Sequence, residues 1–200
     1  MIIDIKENSM KFGKHLVCLL LSIVMIAVNG CANRNSNSET TTIIWPAYLI
    51  NLGGYTAKEQ VELIKKSNID NLYANNVYEN EDGSITFDMN TEQLKNSKER
   101  FIANMEETTE TAEEYGIIVH VNDNYSEITF SLSREGEAYN SLGVVTLITA
   151  DVIALQMFSG EDPKEWNLKI KFTDRDTDRT VKEVTIPDEE LLISPEDWEE

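Results

Sequence analysis

The chain has 200 residues, 41% of them hydrophobic, and sets 17 Lys+Arg against 36 Asp+Glu for a formal charge of −19. That length fits one domain, or one domain with a tail, and the apolar fraction suffices for a packed core rather than wholesale disorder. So acidic a chain is excluded as a nucleic-acid binder, because phosphate contact needs basic surface.

Residues 16–28, LVCLLLSIVMIAV, are an apolar run interrupted only by Ser22 and preceded by Lys11, Lys14 and His15. A basic stretch followed by a short apolar one is the layout of a secretory signal. A membrane-spanning helix needs ~20 apolar residues, which this run lacks. It ends in Val28-Asn29-Gly30-Cys31. That string resembles the lipobox of bacterial lipoproteins: an aliphatic residue, a tolerant position, a small residue, then Cys. The resemblance implies cleavage before Cys31 and lipid attachment to its sulfur, with 1–30 as the signal peptide. Asp4 and Glu7 suit a signal badly, whereas MKFGKHLVCLLL sets both Lys residues beside the apolar run. Met10 is therefore read as the start.

Processing would remove three basic and two acidic residues, leaving 14 and 34. Cys18 would leave with the signal, and Cys31 would be the one Cys remaining. An intrachain disulfide, thiol catalysis and cysteine-ligated zinc fall together.

Residues 31–42 read as a flexible tether, since ANRNSNSETTT has no large apolar side chain. Eleven such residues span roughly 18 Å root-mean-square. An α+β domain is expected over 43–187. Its opening segment, IIWPAYLINLGG, is apolar and irregular, and Pro46 restricts it to an edge. Thr56-Ala-Lys-Glu59 is a capping-box pattern that starts a first helix running to about Ser67, with Val61 and Ile64 inward. Ile85, Phe87 and Met89 alternate with Thr86 and Asp88, the mark of a strand with one buried face. Asp82-Gly83 supplies the hairpin turn before it.

A second helix is expected over about 91–115, capped by Asn90 and stopped by Gly116. Leu94, Phe101, Ile102, Met105 and Ala112 share one face. Glu106, Glu107, Glu110, Glu113 and Glu114 crowd the end where the helix dipole disfavours anions, so fraying is expected there. A hairpin follows, turning at Asp123-Asn124. Residues 138–158 are apolar on most sides and predict the central buried helix. Asp151 rules this helix out as a membrane span. In the last hairpin Trp166, Leu168, Ile170 and Phe172 alternate with polar residues. Residues 188–200 hold seven acids and no base, and read as a mobile acidic tail.

Helix then hairpin, three times over, predicts three helix-plus-β-hairpin units forming one sheet with helices packed on it. A helix crossing that sheet once would set the third strand parallel to the second. Helix three would repeat the move. Asp82 and the Asp174–Asp178 turn would then form an acidic rim at one end.

The strings ENEDGSITFDMNTEQ, VHVNDNYSEITFSLS and LKIKFTDRDTDR, within about residues 54–186, resemble a family of small lipoproteins of Gram-positive gut Bacillota. Some members carry an antigen I/II N-terminal label. These are turn-and-strand patterns, so the resemblance implies no catalytic residue. Family members tend to have Asp-Thr-Gly where this chain has Asp176-Thr177-Asp178.

Candidate chemistry is sparse. Asp174, Asp176 and Asp178 mimic the first ligands of a calcium loop, but Arg179 and Thr185 stand where that loop needs Gly and Glu. His120 lies in a strand, opposite the buried set. Glu106, Glu110 and Glu113 form one stripe that could dock a basic peptide. No catalytic residue, metal ligand or cofactor is assigned.

The expectation is therefore a lipid-anchored, extracytoplasmic, non-enzymatic binding module on the cell membrane. Its expected partners are the membrane, through the lipid anchor, and a basic protein or peptide. The alternatives are a small cell-envelope hydrolase and an accessory subunit of a membrane complex. A deep polar cleft distinguishes the first alternative, and co-purification with membrane proteins the second.

Overall fold

The computed structural model describes residues 39–133 and 142–199. The signal segment, Cys31 and most of the expected tether lie outside them. The chain divides into two compact units, the first ending at Glu99 and the second beginning at Arg100.

The first unit contains β1 (Thr40–Trp45), α1 (Ala47–Leu52), α2 (Ala57–Ser67), β2 (Asn76–Glu79) and β3 (Ile85–Asn90). The capping box at α2 forms as expected: the Thr56 hydroxyl accepts from the Glu59 N–H, while Glu59 Oε2 accepts from the Thr56 N–H at 2.9 Å. Val61 and Ile64 are buried. Gly83 turns the β2–β3 hairpin at φ +80°, and Asp82 Oδ1 locks it by accepting from the Ser84 N–H at 3.0 Å.

The sheet order is β1-β3-β2, all antiparallel. This overturns two expectations. Residues 40–42, read as tether, pair with 88–90 of β3. Three successive Thr residues are short and polar but β-branched, and they extend readily once a partner strand is present. By taking β3's second edge, β1 also leaves no place there for a further strand. Pro46 follows the strand directly and precedes α1, where its missing N–H costs nothing.

The helix α3 (Thr91–Glu114) contains the boundary between the units. Asn90 Oδ1 accepts from the Gln93 N–H at 2.9 Å, and Gln93 Oε1 accepts from the Asn90 N–H at 2.8 Å. The acidic C-terminus is helical to Glu114. Ile117 donates to the Ala112 carbonyl and Gly116 to Glu113, each at 2.9 Å, with Gly116 at φ +77°. This Schellman closure satisfies carbonyls that the glutamates cannot.

The second unit continues with β4 (Ile118–Val121), β5 (Glu127–Leu132), α4 (Leu142–Phe158), β6 (Leu168–Asp174) and β7 (Thr180–Ile186). Its sheet runs β4-β5-β6-β7, with β5 and β6 parallel and the outer pairs antiparallel. The single crossing expected of the third helix therefore occurs, while the one expected of the second does not: β4 opens a new sheet. The fold is α+β with two sheets, not one sheet built from three units. Phe130 and Phe172 are register partners, stacked at 5.6 Å. Residues 152–155 of α4 are all fully buried, as a helix apolar all round should be. The expected start near residue 138 lies outside the described residues.

The acidic tail is held in place. Ile193 and Trp198 are only 8% and 7% exposed. Lacking cations of its own, the segment takes them from the last hairpin: Lys182 Nζ meets Asp197 Oδ2 at 3.2 Å, and the Arg179 guanidinium donates to the Trp198 carbonyl at 3.2 Å. Burial alone would raise the Asp197 carboxyl, but hydrogen bonds from Ser194 and Lys182 outweigh it and hold the group below its usual range.

Candidate functional site

Cys31 lies outside the described residues. His120 is exposed on β4, and Glu106, Glu110 and Glu113 are exposed on α3. Asp82 belongs to the first unit's sheet and Asp174–Asp178 to the second's, so the acidic rim that one continuous sheet would have formed has no scaffold. The Asp174–Arg179 turn is closed by its own bonds. Asp174 Oδ1 accepts from the Asp176 N–H at 2.9 Å, and such bonds hold the Asp174 carboxyl below its usual range. Asp178 stands at φ +57°, a left-handed conformation that Gly adopts without strain. Arg175 reaches across to donate to the Gly116 carbonyl at 2.7 Å, placing a cation at the acidic end of α3. Among the described residues no cluster of three or more His, Cys, Asp or Glu is placed to hold a metal.

The feature with the strongest build lies in the first unit, in the loop between α2 and β2. Asp70 and Asn71 both adopt left-handed backbone, at φ +55° and +57°, and Leu72 donates to the Ile69 carbonyl at 3.1 Å. Two left-handed central residues make a tight reversed turn, for which Asp and Asn are the suited non-glycine residues. The turn puts Ile69 and Leu72 at its two corners, within about 7 Å of each other. They are 68% and 55% exposed.

Strain of this kind persists only where surroundings over-determine it, and here they do. Asn68 Oδ1 accepts from the N–H groups of Tyr73 and Ala74 at 2.8 and 3.3 Å, and its Nδ2 donates to the Ala74 carbonyl at 2.8 Å. From the start of α3, Gln93 Nε2 donates to the Asn71 carbonyl at 2.5 Å and to Asn75 Oδ1 at 3.3 Å. Gln93 is buried and fixed by Asn90. Two large apolar side chains are thus held largely in water by a clamped backbone, each forgoing roughly 1–2 kcal/mol of burial.

The second unusual feature is internal. Asp151 on α4 is 1% exposed, and neither carboxylate oxygen has a hydrogen-bond partner among the described residues. Burial pushes its carboxyl up to about 8, so it is largely protonated at neutral pH. Thr149 Oγ1 and Gln156 Oε1 on the same helix are also buried without partners among the described residues.

Sequence reasoning passed over the loop. The string NIDNLYANN advertises turns, and its isolated Ile and Leu fit neither periodicity. That mismatch was the available signal. Asp151 was legible as a lone acid in an apolar helix, but not its lack of partners. Among the described residues no helix is long and apolar enough to cross a membrane. No family model, curated protein or solved structure matches the chain.

Proposed function

We propose that this chain is a lipid-anchored extracytoplasmic protein, acylated on Cys31, that works at the membrane surface as a non-enzymatic binding module. The observation that carries the reading is the Val28-Asn29-Gly30-Cys31 string at the end of a basic-then-apolar segment. Supporting it, the first strand begins at Thr40, only nine residues past Cys31. The sparse candidate chemistry favours binding over hydrolysis. A basic protein or peptide is the partner the net charge favours.

Intact-mass measurement of membrane-extracted protein tests the reading. The expected mass is that of residues 31–200 plus a diacylglyceryl group or more, since stable anchoring takes at least two chains. An unmodified Cys31, or a chain released into the medium, refutes it.

A further inference from the structure

We propose that the Asn68–Asn75 loop of the first unit is a bilayer-contacting tip, with Ile69 and Leu72 entering the headgroup–acyl boundary and Lys65 and Lys66 facing the headgroups. The inference rests on the anchored reading above and adds which surface of the protein meets the lipid.

The argument begins with where the chain enters the fold. In the first sheet Thr40 is paired with Asn90, and Asn76 with Asp88. The start of β1, the end of β3 and the start of β2 therefore lie at one end. The loop runs directly into Asn76, its Asn75 N–H donates to the Asp88 carbonyl at 2.7 Å, and Gln93 binds it from just beyond β3. The exposed Ile69 and Leu72 thus occupy the end of the sheet through which the chain arrives. Nine residue-to-residue steps lead from Cys31 to Thr40. Fully extended they reach at most about 32 Å, so a lipid on Cys31 keeps this end of the first unit near the bilayer.

Charge and exposed apolar surface together distinguish the two ends. The far end, at the β2–β3 hairpin, carries exposed Glu79, Glu81 and the turn residue Asp82, with no cation in the hairpin. The loop end has Lys65 and Lys66 in the last turn of α2, both exposed, set against Glu39, Asp70, Asp88 and Glu92. Neither end is basic overall. The loop end sets two cations beside two exposed aliphatic side chains, the pairing that suits an interfacial contact, whereas the hairpin has an exposed Tyr78 and no cation. Its residual acidity makes the contact depend on the tether, which supplies a high local concentration.

The test places a reporter at the tip of the full chain. Leu72→Trp, Ile69→Trp and a far-end control, Glu81→Trp, are reconstituted into vesicles of phosphatidylcholine and phosphatidylglycerol, with and without brominated acyl chains. Bromine quenches tryptophan only on contact; the native Trp166 and Trp198 are buried, and the half-buried Trp45 is common to the parent and every variant, so the parent sets the baseline. Emission of the two tip variants should fall by up to about a quarter in brominated vesicles beyond any loss in the parent, the share of one tryptophan among four. Glu81→Trp should behave like the parent. Flotation and intact mass on the same samples separate the two readings. A chain that floats and carries lipid but shows no extra quenching at 69 or 72 overturns the tip alone. Quenching at the tip with Cys31 unmodified overturns the anchor and leaves the tip standing. Tip tryptophans shielded from aqueous iodide but not quenched by bromine mean that a protein covers the loop, which also overturns the proposal.

Discussion

Gln156 Nε2 donates to the Tyr125 carbonyl at 2.6 Å and to the Asn167 carbonyl at 2.9 Å. One buried side chain on α4 thereby ties down the β4–β5 turn and the approach to β6. Tyr125 needs the support, because it holds left-handed backbone at φ +59°. Gln156→Leu keeps the volume and removes both donors. The second unit should lose about 1–3 kcal/mol, read by urea denaturation with Trp166 and Trp198 emission. Amide exchange at Ser126 and Glu127 should quicken. Unchanged exchange would show that the turn holds itself.

Asp151 should impose a pH dependence of a distinctive sign. Its carboxyl sits at about 8 in the folded chain against an ordinary 3.8. Below pH ~4 both states keep the proton. Between about 4 and 8 the folded state keeps it while the unfolded state releases it, so stability falls by up to ~1.4 kcal/mol per pH unit as pH rises. Asp151→Asn removes that slope. The variant's advantage over the parent should be small near pH 4.5 and grow steadily to pH 8, in denaturation curves taken across the range. A constant difference would mean that Asp151 is ionised throughout.

Asp178 stands where a side chain is unwelcome, at φ +57°. Its N–H donates to the Asp174 carbonyl at 2.8 Å, a bond that any residue supplies. Asp178→Gly should raise the stability of the second unit by about 0.5–1 kcal/mol. A lower denaturation midpoint would mean that the carboxylate itself holds the turn.

The docked C-terminal segment predicts a large cost for its removal. Trp198→Ala should destabilise the second unit by about 3 kcal/mol. A fragment limited to residues 43–187 loses that anchor together with half of β1, and should melt well below a chain spanning 39–200. Lys182→Ala should have a smaller effect, which disappears as pH falls through the depressed Asp197 value, because protonation breaks the pair. Equal melting of the two fragments would refute the docking.

What could be read from the sequence was what neighbours along the chain determine. The Thr56–Glu59 and Asn90–Gln93 caps, the Gly116 stop and the alternation of Ile85, Phe87 and Met89 are all local, and all are present. Residues 43–45 were legible as an edge segment, but 40–42 were not, because their partners lie about fifty residues away and three Thr residues look like a linker until β3 is beside them. The same holds for the last segment. Ile193 and Trp198 show no period, and the cations that receive them, Arg179 and Lys182, sit in the hairpin before. The loop tip left one local sign, an Ile and a Leu that fit no period; the bonds that hold them out, from Asn68 and Gln93, left none.

The placement of β1 also has a mechanical consequence. Antiparallel backbone bonds run perpendicular to their strands. Six consecutive residues of β1 are matched to β3, beginning with Thr40. The chain enters at Thr40 and leaves toward α3 at Asn90, its register partner. Tension between the preceding chain and the second unit therefore pulls both strands from the same end, and the bonds open one at a time from the Thr40–Asn90 pair, as a zip does.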